Sequence, residues 1–497
     1  MNYIKILFMA FVASATMTAC GDSFLDTEPS QNASEESVKD AIQKDPTKVQ
    51  GFISGYYSNL FAPESQKSHD DFGLKAIELA TDMMGSDMAY LTSHFFVYDY
   101  DWDNRATVNR RVNQTWQQLY AVISGANTVI GLLLPEDGAE LDATSEYMLG
   151  QSYTIRAYCY FWLVNMYQQP YQWNKDKPGI PIYTESLTIL NRGKVSDVYT
   201  QILSDIDTGY NYLKGKGLQK KSELNEYAAA AIYANILSFV NDYPDQWNEV
   251  AKYARIAVQG GTLMDETQLL SGFNDISLSE VLWGADIDGE NNTFYASFMS
   301  HMDAKGAGYG GDLGNYKQIA SDLYDKIADN DIRKKWFGVE LGSKDPQYNY
   351  AKYVQRKYVD VGTLGTGDIF ASDYIYLRTA EMYFVGAEAL YMAGKTAEAK
   401  QMLEEVMKTR VQGYTANLSG DALLEEIKIQ KRIEMWGEGR RFLDMKRRAE
   451  PLDRTKASNH RAPTIKEAPA NDSRMIYMMP SDEINANDEM SDADQNP

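Results

Sequence analysis

The sequence predicts a mainly α fold: a scaffold of antiparallel helical hairpins carrying one large loop-rich region and few short strands. Three observations carry this expectation. Apolar residues recur at three- and four-residue spacing along most of the chain. Successive periodic segments are punctuated by glycine or by Asn/Asp/Pro clusters, the signals of helix ends and turns. The stretch 261–372 has many glycines and scattered aromatics but no sustained period, so a helix cannot run through it. Hydrophobic residues at 44% and charged residues at 24% place the chain among ordinary globular proteins. Its 497 residues are ample for a large core.

The helices follow in order. Residues 110–134 place Trp116, Leu119, Tyr120, Ile123, Ala126, Asn127 and Ile130 at helical spacing. Residues 146–167 follow, with Ile155, Tyr158, Cys159, Trp162 and Tyr167 on the apolar side. Ser196 reads as the N-cap of a helix over 198–213, where Tyr199, Ile202, Ile206 and Tyr210 recur. Segments 223–240 and 247–259 form the next pair, separated by Asn241-Asp242-Tyr243-Pro244-Asp245. Segments 373–393 and 397–411 form another, joined through Gly394. The run Ala387-Glu388-Ala389-Leu390, Ala393-Gly394-Lys395, Ala397-Glu398-Ala399 resembles a tetratricopeptide repeat, whose small residues let two helices approach closely.

The N-terminus carries an address. Lys5 precedes the apolar run Ile6-Leu7-Phe8-Met9-Ala10-Phe11-Val12, and small residues lead to Thr18-Ala19-Cys20-Gly21. That order describes a secretory signal, too short to span a bilayer. Cysteine directly after Thr18-Ala19 resembles a bacterial lipobox, which makes Cys20 the lipidation site. The other cysteine, Cys159, lies among Tyr158, Tyr160, Phe161 and Trp162 and reads as a small buried hydrophobe. The expected organisation is a signal peptide over 1–19, a lipidated tether over 20–34 and one domain over 35–497. Within it the scaffold covers about 35–260 and 373–450, and the ligand-binding loops about 261–372. A formal charge of −22 repels phosphate backbones and argues against a nucleic-acid partner.

Short motifs in a fixed order resemble the SusD/RagB family. They begin with Cys20 followed by Phe24-Leu25-Asp26, then Trp116, Tyr120, Ile123 and Ala126-Asn127. Next come Arg156-Ala157-Tyr158 with Phe161, Gly179-Ile180-Pro181-Ile182, and Asp331-Ile332-Arg333. Tyr376-Leu377-Arg378-Thr379-Ala380-Glu381, Arg432-Ile433-Glu434 and Gly437-Glu438-Gly439-Arg440-Arg441 with Asp444 continue the series. Met479-Pro480-Ser481-Asp482-Glu483-Ile484 and Gln495-Asn496-Pro497 close it. The resemblance implies an outer-membrane lipoprotein that faces the cell exterior. It also implies a glycan or peptide ligand, and a SusC-like TonB-dependent transporter to which the ligand is handed. It implies no cofactor, no metal and no catalysis.

Arg432, Glu434, Glu438, Arg440, Arg441 and Asp444 read as a salt-bridge network that fixes the last helices, rather than as catalytic carboxylates. The ligand residues are argued from chemistry. A sugar ring offers an apolar face and a rim of hydroxyls, so it suits a flat aromatic beside bidentate polar groups. Around residues 85–108, Tyr98, Asp101, Trp102 and Asn104 have that mixture, with Trp102 at the centre. Two readings of this segment stand: a ligand platform, or aromatics packed into neighbouring helices. Tyr295 and Tyr309, with Tyr316, form the second candidate region. Tyr171 and Trp173 form a third, where packing is the better reading. Asp99, Asp101 and Asp103 alternate like the start of a calcium loop. Asn104 stands where its glycine belongs and Arg110 where its glutamate does, so the pattern breaks. No Ser nucleophile elbow, His-rich metal motif or nucleotide loop appears in the sequence. The alternatives are a peptide-binding member of the family, a surface glycoside hydrolase with its carboxylate pair, and a purely structural scaffold.

Overall fold

Helices form along the apolar-rich segments, and in the computed structural model they stack as successive hairpins. The structure describes residues 35–63, 67–135, 139–184, 190–288, 295–306, 308–338, 351–359, 372–462 and 464–497. Cys20, the signal segment and most of the tether lie outside the described residues. The chain forms two compact units, Met1–Val49 and Gln50–Pro497. The first contributes helix α1, Glu35–Lys44, in which Lys44 reaches back to Asp40 at 2.6 Å.

The second unit begins with α2 (Gln50–Asn59) and α3 (Leu74–Met84), then a three-residue strand β1 (Met88–Tyr90). The scaffold follows as α4 (Arg110–Leu133), α5 (Ala143–Tyr167), α6 (Val195–Leu213), α7 (Glu226–Leu237) and α8 (Gln246–Ala257). Each packs on the next. Asp142 caps α5 by accepting the Ser145 amide at 2.8 Å, and Asn225 caps α7 by accepting those of Tyr227 and Ala228. The α5–α6 seam is bolted by the buried Arg156, whose guanidinium donates to both oxygens of Asp205 at 2.8 and 2.6 Å. Cys159 on α5 is fully buried, and burial pushes its thiol up, as expected of a core residue.

Strand β2 (Val281–Ala285), the short α9 (Phe298–Met302) and β3 (Lys317–Ile319) lie in the loop-rich region. After β4 (Tyr374–Arg378), helices α10 (Thr379–Met392), α11 (Thr396–Met407) and α12 (Asp421–Glu434) continue the stack, with α10 packed on α8. Gly394 turns the chain between α10 and α11 at φ 77°, a left-handed conformation that favours glycine. Helix α13 (Arg441–Arg447) packs on α3.

Of the boundaries that differ from expectation, two have a clear physical reason. Residues 374–378 are strand, because the aromatic and β-branched run Tyr374-Ile375-Tyr376-Leu377 pairs antiparallel with β2, and the helix starts only at Thr379. Ser196 is not the cap of α6: the helix opens at Val195, and Asp197 accepts the Lys194 amide at 3.0 Å.

The predicted charge network is present and larger than its motifs. Arg378 donates to Glu280 at 2.6 Å, to Glu434 at 3.1 Å and to Glu438 at 2.6 Å. Arg410 joins Glu280 to Glu434 at 2.6 and 2.9 Å, Arg333 joins Asp331 to Glu434, and Lys357 meets Glu438 at 2.5 Å. All eight side chains are buried. Burial pushes Glu434 and Glu438 up, but the guanidiniums of Arg410 and Arg378 outweigh it. They hold Glu434 well below the usual carboxylate range and Glu438 at about 2. The remaining motif residues do the same work: Arg432 with Asp87, Arg440 with Glu78 and Glu381, Arg441 with Glu450, Asp444 with Lys431 and Arg447.

Candidate functional site

The two irregular, aromatic-rich stretches meet. Strand β1 pairs antiparallel with β3, Met88 opposite Ile319 and Tyr90 opposite Lys317, which brings residues near 95 against residues 295–309. At that junction a cluster of rings assembles. His69 stacks on Tyr295 with centroids 5.5 Å apart and planes 10° from parallel. Tyr309 shares a 2.6 Å hydrogen bond with His69 Nδ1 and stacks on His301 at 4.8 Å. Phe95 packs edge-on to Tyr309 at 5.0 Å, and His94 lies 4.9 Å from Tyr309. Edge-on and offset-stacked geometries are those that aromatic quadrupoles favour.

The cluster is graded from interior to solvent. His301, on α9, is buried and donates from Nε2 to the His69 carbonyl at 2.8 Å, which fixes its tautomer. Burial, then the charge of Lys317, hold His301 well below its usual range. Lys317 is itself buried, and burial pushes its amine down to about 7. Tyr295 is the outermost ring at 45% exposure and reaches the surface beside a partner that the rest of the cluster holds. The His69 backbone is held from behind: Asp70 binds Arg110 at 2.9 Å and Arg111 at 3.1 Å, and Arg111 lies over the Phe96 ring. The glycine loop after α9 folds tightly onto that helix, since a Cβ at Gly308 would sit 2.8 Å from the Ser300 carbonyl oxygen. Only glycine fits there.

The expected ligand residues divide. Tyr295 and Tyr309 are brought together in the cluster. Tyr98 is 60% exposed on the turn that follows Phe95. Trp102, expected at the centre of the site, is instead 3% exposed; its indole N–H donates to the Met84 carbonyl at 2.9 Å and its ring meets Phe442 edge-on. With its face and its donor both committed inside the fold, Trp102 follows the packing reading. Asp101 is tied to Arg461 at 2.9 Å and to the Thr464 hydroxyl, and Asn104 donates to Asp99 at 3.0 Å. These two brace the 97–104 turn. Asp99, the first of the alternating acids, is buried against Arg111 at 3.3 Å. Tyr171 donates to Asp242 and packs on Tyr199, and Trp173 is partly exposed. Tyr316 is also partly exposed, beyond the glycine loop.

His69, His94, Phe95 and His301 were not among the expected ligand residues. The available signal was that two of the chain's four histidines, His94 and His301, lie in the two irregular stretches. Among the described residues, no group of three or more His, Cys, Asp or Glu side chains is placed to hold a metal ion. None of the described helices is long and apolar enough to cross a membrane.

The fold and site define a class: a helical-hairpin scaffold that displays a surface platform of aromatic rings on its loops. Residues 289–497 match the SusD family, and residues 23–237 match a family described as starch-binding and associating with the outer membrane. The chain belongs to the SusD/RagB family. It is 22% identical over 379 residues to SusD-like protein P25 of Formosa agariphila, covering 67% of this chain and 69% of that one. A SusD-like carbohydrate binding protein from Bacteroides vulgatus superposes with a TM-score of 0.77 at 21% identity, covering 90% of this chain and 97% of the other. Surface glycan-binding protein A from Bacteroides thetaiotaomicron, solved in complex with laminarihexaose, superposes with a TM-score of 0.66 at 15% identity, covering 90% and 99%.

Proposed function

We propose that this protein is a cell-surface lipoprotein, anchored through Cys20, that captures a glycan on the Tyr295–His69–Tyr309 platform. It passes the glycan to a SusC-like TonB-dependent transporter in the outer membrane. One observation carries the binding reading: the half-exposed Tyr295 stacks on His69, which is itself hydrogen-bonded to Tyr309. A ring fixed in advance loses little freedom when a sugar stacks on it, which is how preorganisation yields affinity. Family membership and the laminarihexaose complex of a protein of similar fold support a carbohydrate as the ligand class. The protein acts by binding rather than by catalysis. Asp70, the carboxylate beside His69, is committed to two arginines, whereas glycoside cleavage asks for a pair of available acids.

The test has two arms. Affinity electrophoresis of the protein through gels containing laminarin, starch, xylan or pectin is expected to show retardation by at least one polysaccharide. Retardation by none, with capture of peptides instead, would replace the ligand class. Purification of the intact lipoprotein from its native membrane in mild detergent is expected to bring down a TonB-dependent barrel. Recovery of the lipoprotein alone would refute the transporter partnership.

A further inference from the structure

One ring of the platform carries a polar edge that the fold leaves unused. His69 commits Nδ1 to the Tyr309 hydroxyl, His301 commits Nε2 to the His69 carbonyl, and Asp70 is divided between Arg110 and Arg111. The imidazole of His94 makes no hydrogen bond among the described residues. Its Nδ1 is sealed from solvent without a partner, whereas Nε2 is not sealed, on a ring that is itself only part-buried.

The ring is nevertheless held in place. The His94 carbonyl accepts the Tyr90 hydroxyl at 3.1 Å and the Val97 amide at 3.0 Å, and the imidazole packs edge-to-face with Phe95 at 4.5 Å. His94 and Tyr295 both border Tyr309, with centroids 4.9 and 5.6 Å from it. His94 therefore stands within two ring spacings of the half-exposed Tyr295, which is the reach of a disaccharide.

The surroundings also fix what His94 offers. Burial, then the charge of Lys317, hold it below the usual imidazole range against the pull of Asp70, so the ring is neutral at physiological pH. A neutral imidazole has one N–H. On Nδ1 that hydrogen would be a buried donor with no acceptor, and orphaned buried N–H groups are rare. On Nε2 it reaches the side of the ring that is not sealed. Stacking alone discriminates poorly, because every pyranose has an apolar face. A donor fixed beside the stack favours sugars that bring an oxygen to it and rejects those that leave it unmet.

We propose that His94 is the specificity-determining residue of the platform, its Nε2–H donating to a hydroxyl or ring oxygen of the glycan that stacks on Tyr295. The inference rests on the glycan reading of the platform and names the group that reads the sugar's stereochemistry.

Affinity electrophoresis of the full chain through laminarin, starch, xylan and pectin tests this with the parent and two variants. His94→Phe keeps a ring and removes both nitrogens, whereas the amide of His94→Gln restores a donor near the Nε2 position. On whichever polysaccharide retards the parent, His94→Phe is expected to bind about threefold to tenfold more weakly, the worth of one neutral hydrogen bond. His94→Gln is expected to recover most of that loss. Binding by His94→Phe equal to the parent's overturns the role of His94 and leaves the platform standing. So does a loss in His94→Gln as large as in His94→Phe, since altered packing alone would produce it. No retardation of the parent on any of the four removes the glycan reading, and this inference with it. A second measurement needs no glycan. With only four histidines in the chain, two-bond proton–nitrogen spectra of the parent labelled in histidine resolve each ring. The signal missing from His94→Gln is expected to show the Nε2–H tautomer, and an Nδ1–H tautomer there overturns the proposed donor.

Discussion

The charge network beneath the C-terminal helices and the aromatic platform on the loops are built on opposite plans. In the network, Glu434 is shared among Arg333, Arg378 and Arg410, each cation meets more than one acceptor, and none of the side chains reaches solvent. In the platform the same strategy of mutual bracing stops one ring short: His301 and Tyr309 are buried, His69 is partly covered, and Tyr295 stands at the surface. The difference teaches how one chain can keep rigidity apart from the recognition proposed for it. A closed polar cluster specifies the scaffold, while an aromatic cluster that reaches the surface is where the proposed glycan would be met. Buried charges tolerate no vacancy, because an unpaired one costs more than the pair contributes.

The comparison can be broken most forcefully from the network side. Glu434→Ala leaves three arginines short of a partner and is expected to destabilise the fold by about 3–5 kcal/mol, measured by chemical denaturation. A loss below about 1 kcal/mol would show that the network is not essential to the scaffold. Trp102→Phe comes next. It leaves the Met84 carbonyl unmet in the interior, an expected cost of about 1–3 kcal/mol, with glycan affinity unchanged. A fall in affinity at constant stability would return Trp102 to the ligand site.

The histidines sharpen the contrast. His460 is sealed inside the fold, hydrogen-bonded to the Tyr100 hydroxyl at 2.6 Å, and burial, followed by repulsion from Arg454, lowers it to about 4. In the unfolded chain it titrates near 6.5. Between those values the unfolded state holds the extra proton, so this contribution is present above about pH 6.5. It is lost as the pH falls toward 4, at up to about 1.4 kcal/mol per pH unit. Thermal melts of His460→Gln and the parent at pH 7 and pH 5 should show a shallower pH dependence in the variant; identical slopes would contradict the assignment. The smallest effect belongs to the platform's outer ring. Tyr295→Ala is expected to alter stability by no more than about 1 kcal/mol, because the ring is nearly half exposed.

What the sequence disclosed follows the same division. Helices α4 to α8 were legible because each carries a long apolar-rich segment of good helix formers, with a local capping group at α5 and α7. Glu434 and Glu438 were readable as ion-pair members because carboxylates beside arginines in one motif form such networks. Their partners Arg333, Arg378 and Arg410 were not, since those contacts join residues far apart in the chain. The platform was half visible. Tyr295 and Tyr309 were found from composition, but His69 and Phe95 reach them only through the β1–β3 pairing, and three-residue strands are too short to show alternation. Trp102 misled because side-chain chemistry is the same for a ring that binds and a ring that packs. Only its burial against Phe442 and its bond to Met84 separate the two.

The most direct test of the account is calorimetric titration of a retarding polysaccharide, or an oligosaccharide cut from it, into the parent and into Tyr295→Ala at equal fold stability. The account predicts that affinity falls at least tenfold, about 1.4 kcal/mol, in the variant. Unchanged affinity would place the glycan elsewhere on the molecule and contradict the platform as its site.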